Sequence, residues 1–223
     1  MAVVIALLPM KGHSERVAGK NLRPLAGRPL YHWVMQTLLA TKMISEVVVD
    51  TDSDEIADDV RLNFPDVPVR ERPSDLVGDL VTMHDIVARF VAEHPIGEVF
   101  VQTHATNPLL RHQSLERAIQ TFLNDDAHDS LMSVTGWQAR LYDHEGRALN
   151  HDPNVLLRTQ DLPLVYVENS NFYVASREVI LATGKRIGPN PLLFPLGRLE
   201  SLDIDDESDF RVAECLVEES LDG

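Results

Sequence analysis

The chain has 223 residues, of which 44% are hydrophobic and 25% charged, ordinary proportions for a globular protein able to bury a core without disulfide staples. Its formal net charge of −15 excludes a general nucleic-acid binder, because such a field repels polyanions. Cys215 is a lone cysteine, no apolar run approaches a membrane span, and the start lacks a signal-peptide pattern, so a cytoplasmic protein with no membrane partner is expected.

Residues 2–8 form a continuous apolar, β-branched run closed by Pro9, the pattern of a buried strand. Segment 9–28 then carries Lys11, Arg16, Lys20, Arg23 and Arg28 against Glu15 alone, with Gly12, Gly19 and Gly27 among them. A glycine-rich, cationic loop after a first strand is what cradles phosphates, although a plain structural turn has the same outline. A helix is expected from Pro29 to about Met43, with Leu30, Val34 and Leu38 at helical spacing. Residues 46–52 read as a second buried strand, and Asp52-x-x-Glu55 as a capping box opening a helix to about Phe64.

A short strand at 67–72 precedes the stripe Met83, Ile86, Val87, Phe90, Val91 of a core-facing helix. A strand at 98–102, a helix at 113–123 and a strand at 130–135 continue the alternation, which argues for an open, mostly parallel α/β sheet covered by helices. The rhythm breaks over 136–168, which is polar and aperiodic and reads as a protruding arm inserted in one domain spanning 1–223. Strands at 172–176 and 199–204 and helices at 178–183 and 207–220 close the chain. The last of these lies in segment 200–223, where ten acids face Arg211 alone. In a strand, Asp203 and Asp205 project from the same face, so both carboxylates reach one cation. Trp33, Trp137 and Cys215 are assigned to packing and most of the nine histidines to the surface.

Two common phosphate motifs fail. Gly12 and Gly19 have six residues between them and Lys20 is followed by Asn21, which breaks the P-loop pattern, and G-x-G-x-x-G is absent. Residues 9–30, PMKGHSERVAGKNLRPLAGRPL, instead resemble the signature loop of the CMP–sialic acid synthetases, the acylneuraminate cytidylyltransferases. Four further blocks resemble that family in order: RPSDLVGD (72–79), ATNPLLR (105–111), QDLPLVYVENSNFY (160–173) and ESLDIDDESD (200–209).

The resemblance implies a nucleotide-diphospho-sugar-transferase-like fold and transfer of CMP from CTP to an α-keto sugar acid, with release of pyrophosphate. A KDO-like sugar or a phosphonate is the alternative acceptor. By the same resemblance, Lys11, Arg16 and Lys20 hold the triphosphate through the reaction, while Gly12, Ser14, Asn21, Arg72, Asp79 and Thr82 surround the nucleotide. His104, Thr106, Arg158, Gln160, Asn169 and Tyr173 face the sugar acid, and Asp203 and Asp205 hold Mg²⁺. A homodimer formed through the arm is also implied. The chain departs from the pattern at His104, where the family usually has glutamine, at Thr159 for arginine, at Ser170 for glycine, and at the acidic Glu15.

Overall fold

The computed structural model describes residues 2–13, 17–78 and 80–222. Strand β1 (Val4–Met10) is buried along its whole length, and its side chains alternate between two cores. Val4, Ala6, Leu8 and Met10 meet Tyr31, Val34, Ile56, Leu115 and their neighbours, whereas Ile5 and Leu7 meet Val87, Phe90 and Ile180. A strand covered on both faces needs the uninterrupted apolar run seen in the sequence.

The chain continues through a two-residue ribbon, β2 (Pro24–Leu25) and β3 (Arg28–Pro29), into α1 (Leu30–Ala40). It then forms β4 (Glu46–Thr51), α2 (Asp54–Asn63), β5 (Val69–Glu71), α3 (Met83–Glu93), β6 (Val99–Thr103), α4 (His112–Leu123) and β7 (Ser130–Trp137). The last elements are β8 (Val165–Ser176), α5 (Arg177–Thr183), β9 (Pro191–Leu196) and α6 (Glu207–Asp222). The main sheet has seven strands in the order β5-β4-β1-β6-β8-β7-β9, and β8 alone is antiparallel to its neighbours. Helices α1, α2 and α4 line one core and α3 and α5 the other. Each buried Leu, Ile or Val contributes roughly 1.5–3 kcal/mol, before conformational entropy is counted.

Several expectations need correction. Helix α2 is capped by Ser53, whose side chain accepts from the Ile56 amide, and Asp52 turns the other way. Strand β9 was missed because Pro191 and Pro195 argue against a strand, yet it sits at the sheet edge, where a missing N–H is tolerated. The expected strand at 199–204 does not form: turns at 199–201 lead into irregular backbone, held by Ile204 N–H to Thr106 O at 2.9 Å. The same-face argument for Asp203 and Asp205 therefore fails. Cys215 is exposed on α6, and of the histidines only His13 and His144 are exposed.

Residues 136–168 are part strand and part irregular. The far ends of β7 and β8 pair as Val134–Glu168 through Trp137–Val165, and β6 pairs with β8 only from Phe172 onward. Between Met132–Tyr173 and Val134–Glu168 the register shifts, with residues 169–172 opposite Ser133. The Ser133 hydroxyl pins this bulge, accepting from Phe172 N–H at 3.0 Å and donating to Phe172 O at 3.1 Å. Ser170 within it has φ +56°, a left-handed conformation that favours glycine.

Candidate active site

A cleft of about 700 Å³ opens at the carboxyl ends of β1, β4 and β6, the place where open α/β sheets bind ligands. Lys11, Lys20, His104, Thr106, Asp203 and Asp205 line it, so the basic loop and the acidic carboxyl-end segment share one cavity. Packing brings them there. Ile204, Phe210, Ala213 and Val217 form a small core with Val17, Leu25 and Leu30, which clamps α6 onto the loop. Arg23 spans the same contact, pairing with Glu207 at 2.6 Å and lying 3.9 Å over the Phe210 ring. Lys20 Nζ donates to Ile204 O at 2.7 Å, between the two aspartates.

Asp203 Oδ1 is a buried oxygen with no hydrogen-bond partner among the described residues. Burial raises the pKa of this carboxyl, with the Asp205 charge acting in the same sense and the Thr106 hydroxyl and Lys20 opposing. An orphaned carboxylate oxygen beside a second acid suits a hard cation that takes its remaining ligands from phosphate and water. Among the described residues, no group of three or more His, Cys, Asp or Glu is arranged to hold a metal ion by itself.

Gly12 passes so close to the turn before α2 that a Cβ there would lie 2.8 Å from Ser53 Cβ. This approach lets its N–H donate to Asp52 Oδ1 at 2.7 Å, so the amide expected to face a nucleotide is already engaged. Asn21 lines the cleft, and its Nδ2 holds the Lys11 carbonyl at 2.9 Å. Arg72 is buried beneath the cleft rather than open to it. It donates to Asp50 Oδ1 at 2.6 Å, to Asp52 Oδ2 at 3.4 Å and to the Met10 and Asp50 carbonyls at 3.1 Å each. Thr82 caps α3, its hydroxyl and amide both donating to Asp85, and does not line the cleft. Ser14, Arg16 and Asp79, with Glu15, lie outside the described residues.

Tyr173 and Asn169, expected to face the sugar acid, do not line the cleft; Tyr173 is buried behind His104, and its hydroxyl donates to Glu168. Burial pushes the phenol up to about 12, against the pull of the Arg186 charge. Asn169 donates to the Thr135 hydroxyl at 3.1 Å and shapes the bulge that brings Ser170 to the cleft. Arg158 and Gln160 are far out on the arm: Arg158 forms a bidentate pair with Asp161 at 2.6 and 2.9 Å, and neither residue lines this cleft. Sequence reasoning missed Asp52 and His13, which line the cleft, and Arg186, which does not line it but reaches His104. The last stacks 3.7 Å over the Tyr173 ring and reaches Gln102 and His104. No periodic pattern surrounds it, so only the juxtaposition of β6 and β8 reveals it.

The fold matches solved nucleotidyltransferases. A CTP complex of CMP:2-keto-3-deoxy-manno-octonic acid synthetase superposes with a TM-score of 0.73 at 15% identity, covering 98% of this chain and 100% of that one. The sequence model of the cytidylyltransferases matches residues 5–192, and the chain belongs to the cytidylyltransferase family. Relatives include N-acylneuraminate cytidylyltransferase A of Danio rerio, 29% identical over 96% of this chain and 50% of its own length. CMP-N,N'-diacetyllegionaminic acid synthase of Legionella pneumophila is 28% identical, with 96% of each chain covered. Pseudaminic acid cytidylyltransferase of Campylobacter jejuni is 24% identical over 95% of each. The chain thus spans about half the Danio rerio relative and nearly all of the two bacterial ones. Among the described residues, no helix is long and apolar enough to cross a membrane.

Proposed function

We propose that the protein transfers CMP from CTP to a nonulosonic, sialic-acid-like sugar acid and releases pyrophosphate, with residues 1–223 acting as one catalytic domain in the cytoplasm. The observation that carries this reading is the shared cleft, where Lys20 lies against Ile204 O between Asp203 and Asp205. Relatives that act on acylneuraminic, legionaminic and pseudaminic acids support the acceptor class.

In this reading the anomeric oxygen attacks the α-phosphorus, the bond to the bridging oxygen breaks, and pyrophosphate leaves. Charge grows on phosphate oxygens, so catalysis is positioning and neutralisation. Lys20, with Lys11 and Arg16, offsets that charge. Asp203 and Asp205 would hold Mg²⁺, which neutralises phosphate oxygens when bound. Arg72 acts indirectly by holding the Met10 carbonyl and Asp52 at the cleft floor.

The arm supports a homodimer. Its residues Leu149, Leu156, Tyr166 and Val167 are exposed, an apolar display usually covered by another surface. Arg158 and Gln160 would then serve the partner's acceptor pocket.

The test is pyrophosphate release with each of four nucleoside triphosphates and a panel of acidic acceptors, with the nucleotide product identified by mass spectrometry. The expected result is a CMP-sugar acid formed from CTP alone. Turnover only with a phosphonate, or only with another triphosphate, overturns the assignment.

A further inference from the structure

His104 borders the cleft. Its Nε2 lies 3.1 Å from Arg186 Nη1. A guanidinium has donors and no acceptor, so this contact requires a lone pair on Nε2, and the ring proton must sit on Nδ1. Arg186 is itself held from several sides. Its Nη1 also donates to Gln102 Oε1 at 2.9 Å, its guanidinium stacks on Tyr173, and its backbone N–H donates to His84 Nδ1 at 3.3 Å.

Among the described residues, the charged groups that act on the imidazole fit this state. Arg186 comes from the segment after α5 and Lys20 from the amino-end loop, and both cations oppose a second proton on the ring. Tyr173 approaches edge-on from β8 with its centroid 6.4 Å away, and Glu168 is turned toward Arg186 at 3.6 Å and toward the Tyr173 hydroxyl. Among the described residues Nδ1 has no hydrogen-bond partner, so its N–H is the polar group that the ring offers a ligand.

We infer that His104 is a fixed, uncharged hydrogen-bond donor to an oxygen of the acceptor, and that Arg186 is the positioning residue that holds it in that tautomer. The imidazole thereby does the work of a carboxamide N–H. It is not the proton acceptor for the attacking hydroxyl, because its basic lone pair is already occupied. Burial and the two cations hold the ring's pKa down to about 3, which agrees with this role. Identification of the ligand as a sugar acid rests on the function proposed above; the tautomer does not.

Two measurements test the pair. Long-range ¹H–¹⁵N NMR on the wild-type chain is expected to show a protonated Nδ1 and an unprotonated Nε2 for His104, unchanged between pH 5 and 8. In Arg186→Met, where the donor that occupies Nε2 is gone, the ring is expected to mix tautomers. In turnover, His104→Gln is expected to keep at least tenfold more kcat/KM for the acceptor than His104→Leu, with the KM for CTP similar in both, which also certifies their folding. A protonated Nε2 or an imidazolium in the wild-type spectrum at pH 6 overturns the inference. So does His104→Gln falling to the level of His104→Leu. If no sugar acid is turned over at all, the proposed function fails, and the spectrum still decides the tautomer.

Discussion

Around the cleft, side chains reach across long stretches of sequence: Lys20 to the Ile204 carbonyl, Arg23 to Glu207, Arg72 to the Met10 carbonyl, and Asn107 to the Leu202 carbonyl at 3.3 Å. In the arm, contacts stay local. Arg140 holds the Leu157 carbonyl, Asn150 that of Ala139 at 2.8 Å, and Gln138 that of Leu162 at 3.2 Å. The cleft walls are therefore cross-linked by several independent contacts, whereas the arm leaves Leu156 91% and Leu149 64% exposed. A cross-linked region fails only when a shared partner is removed. A region with an unfinished apolar surface depends on whatever covers it.

The strongest way to break the cleft side is chemical. Asp205→Asn is expected to lower kcat by roughly a hundred- to thousandfold, the scale of losing one preorganised electrostatic group, while the thermal midpoint stays close to wild type. Steady-state turnover beside a melting curve checks it, and a loss of under tenfold removes Asp205 from the catalytic set. The next effect is on stability. Arg72→Met leaves the fully buried Asp50 with Arg70 as its one cation among the described residues, and the expected cost is about 3 kcal/mol, read from urea midpoints. If the midpoint does not move, Arg72 is not the anchor of the cleft floor.

The sequence displayed the parallel half of the sheet because strands buried on both faces must be written as apolar runs, as in β1 and β4. It concealed the half around β8. Strand β9 carries two prolines that only an edge position permits, and the bulge at 169–172 follows from register, which no local pattern encodes. Candidate site residues were legible where their motif is also a backbone feature: Lys20, Thr106, Asp203 and Asp205 do share the cleft. Arg72 and Thr82 were misplaced because an arginine and a threonine in those blocks fit equally well as an anchor and a helix cap. Arg186 was invisible, since its partners Gln102, His104 and Tyr173 lie more than ten residues away along the chain.

The arm side of the comparison is sharpened by Leu156→Asp combined with Val167→Asp. Both side chains are at least half exposed, so the isolated fold should change by no more than about 0.5 kcal/mol. The dimer dissociation constant is expected to rise about a hundredfold if these residues sit in a packed interface. Light scattering over a dilution series reads this directly, and an unchanged association constant places the interface elsewhere.

The smallest effect concerns acid. His104 is held down to about 3 by burial, with the charges of Arg186 and Lys20 adding to it, whereas an unfolded histidine titrates near 6.5. Between those values the unfolded chain binds a proton that the folded chain refuses, so stability rises with pH across the window. This contribution is complete above about 6.5 and is lost progressively as the pH falls toward 3. His84, lowered mainly by burial and then by Arg186 and Lys185, acts in the same sense. Because His104 keeps part of its surface on the cleft, its slope should be at most about 1 kcal/mol per pH unit. Urea midpoints at pH 7, 6 and 5 are expected to fall more steeply for wild type than for His104→Gln, in which the titrating ring is gone and His84 remains. Equal slopes for the two proteins would mean that the imidazole accepts its proton in the folded state, and the cleft would then meet its acceptor with a cation in place of a neutral donor.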